Sequence, residues 1–233
     1  MVFCLKTYRT VLFDADNTLF DFSRAEKEAI ADTLTCCGIC PTEELIRAYS
    51  EINDRMWKRL ERGEIDKLTL REARFAEFCE AFGLVADPSR MATAYIEFLS
   101  QKTYLIDGAR ELCAALSSRC RLYIVTNGIL TVQKRRFSTS AIQPYFKDIF
   151  ISEELGFEKP HPGYFEAVAK RVPDFLGEDT LIVGDSLTSD IKGGIAAGLD
   201  TCWYNPRSLE NKEKLSITFE IHALKELAPL LLS

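Results

Sequence analysis

The chain is organised around one stretch, Val11-Leu12-Phe13-Asp14-Ala15-Asp16-Asn17-Thr18-Leu19-Phe20. A short apolar run bounded by turn-forming residues predicts a buried strand, and this run ends at Asp14. Ligands of open α/β sheets bind at the carboxyl ends of parallel strands, so a carboxylate at this position has a chemical use. Asp16 follows two residues later. Two close carboxylates favour either a shared proton or a bound hard metal ion.

The stretch alone also permits a purely structural interpretation, in which Asp16 or Asn17 caps the helix that follows. The organisation of the remaining chain decides between the two. Four consecutive helices are predicted at 22–34, 42–62, 69–82 and 88–101, and they indicate a helical bundle. From residue 108 onward, helices alternate with short apolar strands at 121–126, 148–152, 180–185 and 200–204, followed by a closing helix at 224–232.

This alternation is typical of a doubly wound parallel sheet. The first strand needs the same sheet for its burial, so the bundle is interpreted as an insertion after that strand. The predicted fold class is therefore α/β, a doubly wound (Rossmann-like) parallel sheet core with an inserted all-α four-helix cap. The core comprises residues 1–20 and 104–233, and the cap comprises residues 21–103.

Length and charge exclude several classes of protein. The 233 residues suffice for one large core with a smaller inserted unit. The formal net charge of -6 argues against binding of nucleic acid or a membrane surface, and the basic triplet at 134–136 is interpreted as a solvated helix face. No apolar run is long enough to cross a bilayer, and the N-terminus lacks a signal-peptide layout. We expect a soluble cytoplasmic protein, a monomer or homodimer.

The cysteine pattern allows a further site. Among the 8 cysteines, Cys37-Gly38-Ile39-Cys40 forms a C-x-x-C, which is found in redox pairs and in halves of zinc sites. Here it follows a helix rather than a strand, and the sequence contains no second C-x-x-C. Reduced thiols near a helix end are the favoured interpretation.

Polar residues also follow the later predicted strands. Thr126 and Asn127 offer a hydroxyl and backbone N–H groups at a helix start, a geometry that binds anions, although Thr126 alone could be a cap. Lys159 precedes a proline, which keeps its backbone extended. Asp185 ends another strand, and its neighbourhood includes Ser186 and Asp190.

Acidic groups at neighbouring strand ends would be costly without a cation. Asp14, Asp16 and Asp185 would concentrate negative charge, which destabilises the fold unless a divalent ion binds there. Oxygen ligands without histidine favour Mg²⁺ over zinc.

Together these four stretches resemble the motifs of the haloacid dehalogenase (HAD) superfamily of aspartate-nucleophile phosphatases. Residues 14–18 are similar to the first motif, Thr126 to the second, Lys159-Pro160 to the third, and residues 184–190 to the fourth. The helical insertion is similar to a C1-type cap. Order and spacing agree along the whole chain.

The resemblance implies a mechanism and roles for these residues. Asp14 would attack phosphorus and form an aspartyl-phosphate, while Asp16 would act as general acid and then as general base. Asp14, Asp185 and the backbone carbonyl of Asp16 would hold Mg²⁺. Lys159, Thr126 and the Asn127 N–H would stabilise the transferred phosphoryl group. Asp190, supported by Ser186, would orient Lys159 or a metal-bound water.

Within the superfamily, the chain resembles the bacterial 5′-nucleotidases that hydrolyse pyrimidine nucleoside monophosphates, including damaged or non-standard ones. The similarity lies in residues 14–22, in Asn53, Trp57 and Gly63, in Arg74-Phe75, and in residues 198–205. Trp57 would then be a candidate for stacking on a base, although a helix tryptophan also fits a core position.

Other activities remain open at this point. Sugar-phosphate or phosphoglycolate phosphatases and phosphosugar mutases share the same motifs. A 2-haloacid dehalogenase would leave Asp16 without a task, and no metal is used there. A catalytically silent phosphate-binding module would be expected to have lost Asp14 or Asp16, and both are present.

Overall fold

The computed structural model describes residues 6–232. Its strands are β1 (Thr10–Phe13), β2 (Arg121–Thr126), β3 (Phe146–Ile151), β4 (Thr180–Gly184), β5 (Asp200–Tyr204) and β6 (Phe219–Ile221). They form one six-stranded parallel sheet in the order β3-β2-β1-β4-β5-β6. The chain winds from β1 outward in both directions, which confirms the doubly wound α/β fold.

The α-helices fall into two groups. Four follow β1 directly: α1 (Phe22–Cys36), α2 (Glu43–Glu61), α3 (Lys67–Phe82) and α4 (Pro88–Ser100). The others alternate with the strands: α5 (Ala109–Ser117), α6 (Leu130–Thr139), α7 (Ser152–Leu155), α8 (Pro162–Arg171), α9 (Lys192–Ala196) and α10 (Leu227–Leu232). A π-helical turn, Leu187–Ile191, precedes α9. The inserted cap is therefore all-α, as predicted.

The two faces of the sheet are covered by different helices. Val11 and Phe13 of β1 belong to a cluster with residues of α5 and α10, and Leu12 belongs to a cluster with residues of α8. Because side chains alternate along a strand, β1 contributes to both clusters and is fully buried. Burial on both faces explains why the apolar run ends only at Asp14.

The cap has its own core and rests on α6. Its cluster is rich in aromatic residues, and Tyr49, Phe75 and Tyr95 pack against one another with ring centroids 5.0 to 5.6 Å apart. Ile129 and Val132, beside and within α6, join the same cluster. The two chain crossings lie together, because the N–H of Asp21 donates to the carbonyl of Tyr104. The domain bounds of 20/21 and 103/104 stay a prediction.

Several predicted element bounds differ from the structure. The third strand spans Phe146–Ile151 instead of 148–152, because Phe146 already pairs with Leu122. The fourth strand ends at Gly184, so Asp185 lies just beyond it. Helix α3 begins two residues earlier than predicted, because Asp66 caps it. The closing helix is divided into a 3-10 turn, Leu224–Glu226, and α10. The sequence does not predict the three-residue strand β6.

Within the described residues, no helix is both long and apolar enough to span a bilayer. The cysteines of this part of the chain, including Cys36, Cys37 and Cys40, are free thiols. Cys4 lies outside the described residues.

The packing of α9 on the sheet gives a test of the fold. A Cβ on Gly194 would meet Ile182 Cγ2 at 2.4 Å and Thr201 Cγ2 at 3.0 Å. We expect Gly194→Ala to lower the free energy of unfolding by about 1–3 kcal/mol through overpacking. Urea titration measures this, and Ala196→Ser on the exposed side of α9 is the matched control. Equal unfolding midpoints for Gly194→Ala and the unchanged chain would contradict the packing.

Candidate active site

Three predicted site residues lie at the same edge of the sheet. In the parallel register, Phe13 pairs with Ile124 and Val183, so Asp14 follows β1 within one residue of the level of Thr126, which ends β2, and of Asp185, which follows β4. The N–H of Asp14 donates to the Val183 carbonyl at 2.8 Å, which holds the start of the next loop against β4. This edge is where a doubly wound sheet binds its ligands.

Lys159 connects the acidic groups. Its Nζ lies 2.7 Å from Asp14 Oδ1, 2.7 Å from Asp190 Oδ1 and 2.7 Å from the Val125 carbonyl oxygen. The lysine is only 2% exposed, so these three acceptors replace water around the ammonium. One buried cation is thus shared by two carboxylates.

The backbone of Lys159 is held by Asn127. The side-chain Nδ2 of Asn127 donates to the Lys159 carbonyl at 2.8 Å, and the N–H of Lys159 donates to Asn127 Oδ1 at 2.8 Å. Thr126 is buried, and its Oγ1 accepts from the N–H of Gly128 at 3.0 Å. The side chain of Asn127 therefore positions Lys159, which leaves the Asn127 N–H as its candidate contact with a ligand.

Asp190 reaches the site because residue 184 is a glycine. A Cβ at Gly184 would lie 2.3 Å from Asp190 Oδ2, so a larger residue would displace that carboxylate. Asp190 Oδ2 also accepts from the N–H of Ser186 at 3.1 Å, and Ser186 Oγ accepts from the N–H of Ser189 at 3.2 Å. Ser186, which caps the π-helical turn after β4, therefore holds Oδ2 of Asp190, and Lys159 holds Oδ1.

Burial and charge shift the titration of the cluster. Lost hydration raises the pKa of Asp14, Lys159 opposes this, and Asp190 adds to it. Burial raises the pKa of Asp185 well above its ordinary value, and Asp14 and Asp190 raise it further. For Lys159, burial disfavours the charge, but Asp14 and Asp190 outweigh it and raise the pKa. The lysine stays protonated, whereas ionisation of the carboxylates is costly.

The donor set fits Mg²⁺. Asp14, Asp185 and Asp190 each offer one oxygen, and these oxygens lie within 4.8 Å of one another. Lys159 pairs with two of these three carboxylates, so two negative charges are left over. Both oxygens of Asp190 already accept hydrogen bonds from protein donors. Of these three carboxylates, Asp14 and Asp185 are therefore the ones with an oxygen available to a metal ion in the described part of the chain. A hard dication prefers such oxygen ligands.

Asp16 is held away from this cluster by α6. Gln133 Nε2 donates to Asp16 Oδ2, and Arg136 Nη1 donates to Asp16 Oδ1. Arg136 is fully buried and also donates from Nε to the Lys102 carbonyl at 2.9 Å. The prediction of a solvated triplet at 134–136 is wrong for Arg136, because its charge is paired inside the protein; Lys134 and Arg135 are exposed.

A cavity of about 590 Å³ lies between this sheet edge and the cap. Its core side is lined by residues of the cluster, including Asp14, Asp185 and Asp190. Its cap side is lined by residues of α1 and α2: Phe22, Ser23, Glu26, Ser50, Asn53, Asp54, Trp57 and Glu61. Acidic and polar groups at one end thus share a ligand-sized space with the inner faces of two cap helices.

Comparisons with known proteins agree with this architecture. The family model of haloacid dehalogenase-like hydrolases matches residues 8–198. The chain belongs to this family. It is 43% identical to YfnB of Bacillus subtilis over 223 residues, covering 96% of this chain and 95% of YfnB. A crystal structure of YfnB bound to magnesium, which reveals interdomain movement, has a TM-score of 0.92 and 42% identity, covering 97% of this chain and 99% of that chain.

Two relatives of this HAD hydrolase carry names with a substrate class. The pyrimidine 5′-nucleotidase PynA of Streptococcus pneumoniae is 38% identical, covering 94% of this chain and 93% of PynA. The pyrimidine 5′-nucleotidase YjjG of Escherichia coli is 31% identical, covering 95% of this chain and 96% of YjjG. The predicted resemblance to the HAD superfamily and to this branch is thereby confirmed.

Sequence reasoning missed Gln133 and Arg136, although their pattern carries a signal. Ile129, Val132, Gln133 and Arg136 recur at i, i+3, i+4 and i+7, the spacing of the inward face of a helix. A polar residue at such a position needs a buried partner. In this chain that partner is Asp16.

Metal binding should be visible in thermal stability. Since the folded protein raises the pKa of Asp14 and Asp185, it binds protons that the unfolded chain has released above the ordinary value of 3.8. Without metal, stability therefore falls as the pH rises from that value through the raised pKa values. We expect Mg²⁺ to raise the melting temperature, and to raise it more at pH 8 than at pH 5.

Asp185→Asn is the matched variant for this measurement. It removes one negative charge, so we expect a higher melting temperature without metal and a smaller shift with Mg²⁺. Each kcal/mol corresponds to roughly 2–4 °C in a chain of this size. NaCl at equal ionic strength is the control. An undiminished Mg²⁺ shift in Asp185→Asn would remove this residue from the metal site.

Proposed function

We propose that this HAD hydrolase is a Mg²⁺-dependent phosphomonoesterase that acts on pyrimidine nucleoside 5′-monophosphates through an aspartyl-phosphate. The observation that carries the proposal is the cluster in which Lys159 bridges Asp14 and Asp190 beside Asp185, on the floor of a ligand-sized cavity. The names of PynA and YjjG support the substrate class.

The first step is attack of Asp14 on phosphorus. Lys159 binds Oδ1 of Asp14, so Oδ2 is the oxygen available to form the bond. The ester oxygen leaves and takes a proton, and the phosphoryl group stays on Asp14. Mg²⁺ held by Asp14, Asp185 and the backbone carbonyl of Asp16 would neutralise the repulsion between carboxylate and phosphate.

Charge on the phosphoryl oxygens needs fixed donors. The Thr126 hydroxyl and the Asn127 N–H take this role in the proposal, since both lie at or beside the strand end next to Asp14. Lys159 contributes through its positive charge, because its three N–H groups already bond Asp14, Asp190 and the Val125 carbonyl. Its protonated state is maintained by Asp14 and Asp190. Asp190 acts as a positioning residue through its contact with Lys159.

Asp16 serves as the proton donor and then as the base. Both of its oxygens accept hydrogen bonds from α6, an arrangement that suits the base that activates water in the second step. To protonate the leaving oxygen in the first step, Asp16 carries a proton at one of the lone-pair sites that Gln133 and Arg136 do not use. Gln133 and Arg136 therefore act as positioning residues for both steps.

A substrate panel with a nucleophile variant tests the proposal. We expect hydrolysis of uridine and thymidine 5′-monophosphates to exceed that of sugar phosphates and phosphoglycolate, and to stop in EDTA. Asp14→Asn should lose at least about a thousandfold in kcat, whereas the exposed control Asp148→Asn should keep its activity. Preference for phosphoglycolate or hexose phosphates would overturn the nucleotidase assignment, and normal turnover by Asp14→Asn would overturn the nucleophile.

Pre-steady-state kinetics separate the two roles of Asp16. With p-nitrophenyl phosphate, whose leaving group needs no proton, we expect Asp16→Asn to release about one equivalent of p-nitrophenolate per enzyme and then to turn over slowly. The slow phase should fall by roughly a hundredfold or more, because water lacks its base. Stopped-flow absorbance measures the burst. A linear trace at the unchanged rate would exclude Asp16 from the second step.

A further inference from the structure

A buried polar pair faces the cavity from the cap. Glu26 of α1 is 7% exposed and Asn53 of α2 is 2% exposed, yet both line the cavity. Asn53 Nδ2 donates to Glu26 Oε1 at 2.6 Å. Neither residue belongs to the phosphate-handling cluster at the sheet edge, so the pair is available for the other end of a substrate.

The amide of Asn53 has one orientation. Arg74 Nη1 lies 2.8 Å from Asn53 Oδ1, and an arginine only donates hydrogen bonds. Asn53 Oδ1 must therefore face Arg74, and Nδ2 must face Glu26. Arg74 is itself buried, and its guanidinium lies 4.8 Å from the centroid of the Tyr95 ring. Its position in the cap core therefore fixes the orientation of the Asn53 amide.

The fixed orientation defines what the pair offers to a ligand. The hydrogen bond between the two residues does not use the second N–H of Asn53 Nδ2 or the oxygen Oε2 of Glu26. Burial raises the pKa of Glu26, and hydrogen bonds from Ser50 and Asn53 and the charge of Arg74 oppose the rise and favour the ionised form. The cavity wall thus presents a strong acceptor next to a donor.

An imide matches this acceptor and donor. The N3–H of uracil or thymine is a donor that lies between two carbonyl acceptors, so it pairs with Glu26 while a neighbouring carbonyl accepts from Asn53. Cytosine presents a lone pair at N3 instead, which a carboxylate repels. Buried polar groups of this kind reject ligands that leave them unpaired.

An aromatic face lies one helical turn away. Trp57 follows Asn53 by four residues on α2, so both side chains lie on the same face of the helix, and Trp57 lines the same cavity. Its indole is half-buried, which leaves part of its surface for a planar ring. A base that pairs with Asn53 would have this ring within reach for stacking.

We propose that Glu26 and Asn53 bind the N3–H and the adjacent carbonyl of a uracil- or thymine-type base, with Trp57 stacking on the ring. The proposal rests on the nucleotidase activity proposed above and names the part of the cap that selects the base. Glu26 and Asn53 are specificity residues, and they take no part in the phosphoryl transfer.

The test compares uridine 5′-monophosphate with its N3-methyl derivative and with cytidine 5′-monophosphate. In the unchanged enzyme, we expect kcat/KM to fall by roughly ten- to a hundredfold on N3 methylation, mostly through KM, because the methyl group removes the donor. Cytidine 5′-monophosphate should also be the poorer substrate. In Glu26→Gln, the ratio between uridine 5′-monophosphate and its N3-methyl derivative should shrink to within about threefold.

Two references separate specificity from folding. Each variant is normalised to its own turnover of p-nitrophenyl phosphate, which carries no base. Thr33→Val is the matched control, because Thr33 is buried in α1 and its hydroxyl bonds the Ala29 carbonyl within the same helix. This control should keep the full ratio. If Glu26→Gln does not fold, the comparison of substrates with the unchanged enzyme still decides.

The outcomes are distinct. Equal kcat/KM for the methylated and unmethylated nucleotide, an unchanged ratio in Glu26→Gln, or a preference for cytidine 5′-monophosphate would overturn the base assignment while leaving a nucleotidase. Turnover of p-nitrophenyl phosphate without turnover of any nucleotide would overturn the proposed nucleotidase itself.

Discussion

The buried ammonium of Lys159 is the interaction on which the site depends. It joins a residue after β1 to a residue of the turn after β4, and its own backbone is tied to Asn127 after β2. Removing one partner of such a buried ion pair typically costs about 3–5 kcal/mol, because the other charge is left unpaired. The cluster nevertheless carries a net negative charge, because Asp185 adds a third carboxylate to the single ammonium. That surplus of negative charge is the physical argument for a dication.

The groups proposed to react and the groups proposed to select the substrate lie on different parts of the chain. The sheet edge supplies the cluster around Asp14, whereas α1 and α2 supply the polar pair and the indole across the cavity. Asp16 lies between the two parts, since Arg136 contacts both Asp16 and the carbonyl of Lys102, where the chain returns from the cap. A movement of the cap would thus alter the surroundings of Asp16, the proposed proton donor, as well as those of the proposed nucleobase site.

Ion pairs and apolar contacts join the cap to the core. Arg71 of α3 pairs with Glu153 of α7 at 2.9 Å, and Arg135 of α6 pairs with Glu97 of α4 at 2.7 Å. The Arg135–Glu97 pair is exposed, and such a pair contributes little, about 0–1 kcal/mol, whereas the side chains of Arg71 and Glu153 are only about a quarter exposed. The apolar contacts of Ile129 and Val132 with the cap core are the stronger tie.

Sequence reasoning predicted the sheet, the inserted helices and the acidic strand ends, because a buried parallel strand shows as an uninterrupted apolar run that stops at a polar residue. Asp14, Thr126 and Asp185 were located in this way. It failed where the role of a residue depends on a contact with a residue that is distant in the sequence. Arg136 resembles a surface charge until Asp16 is placed beside it, and strand β6 is too short to show a period. The orientation of Asn53 depends on Arg74, which lies on another helix, and no local pattern contains that information.

The most direct test of the central claim is a crystal soaked in Mn²⁺, a hard dication that takes oxygen ligands and gives an anomalous signal. The account predicts one strong anomalous peak within coordination distance of both Asp14 and Asp185 carboxylates, absent in Asp185→Asn crystals. A map without a peak between these two residues, or with the same peak in the variant, would contradict it.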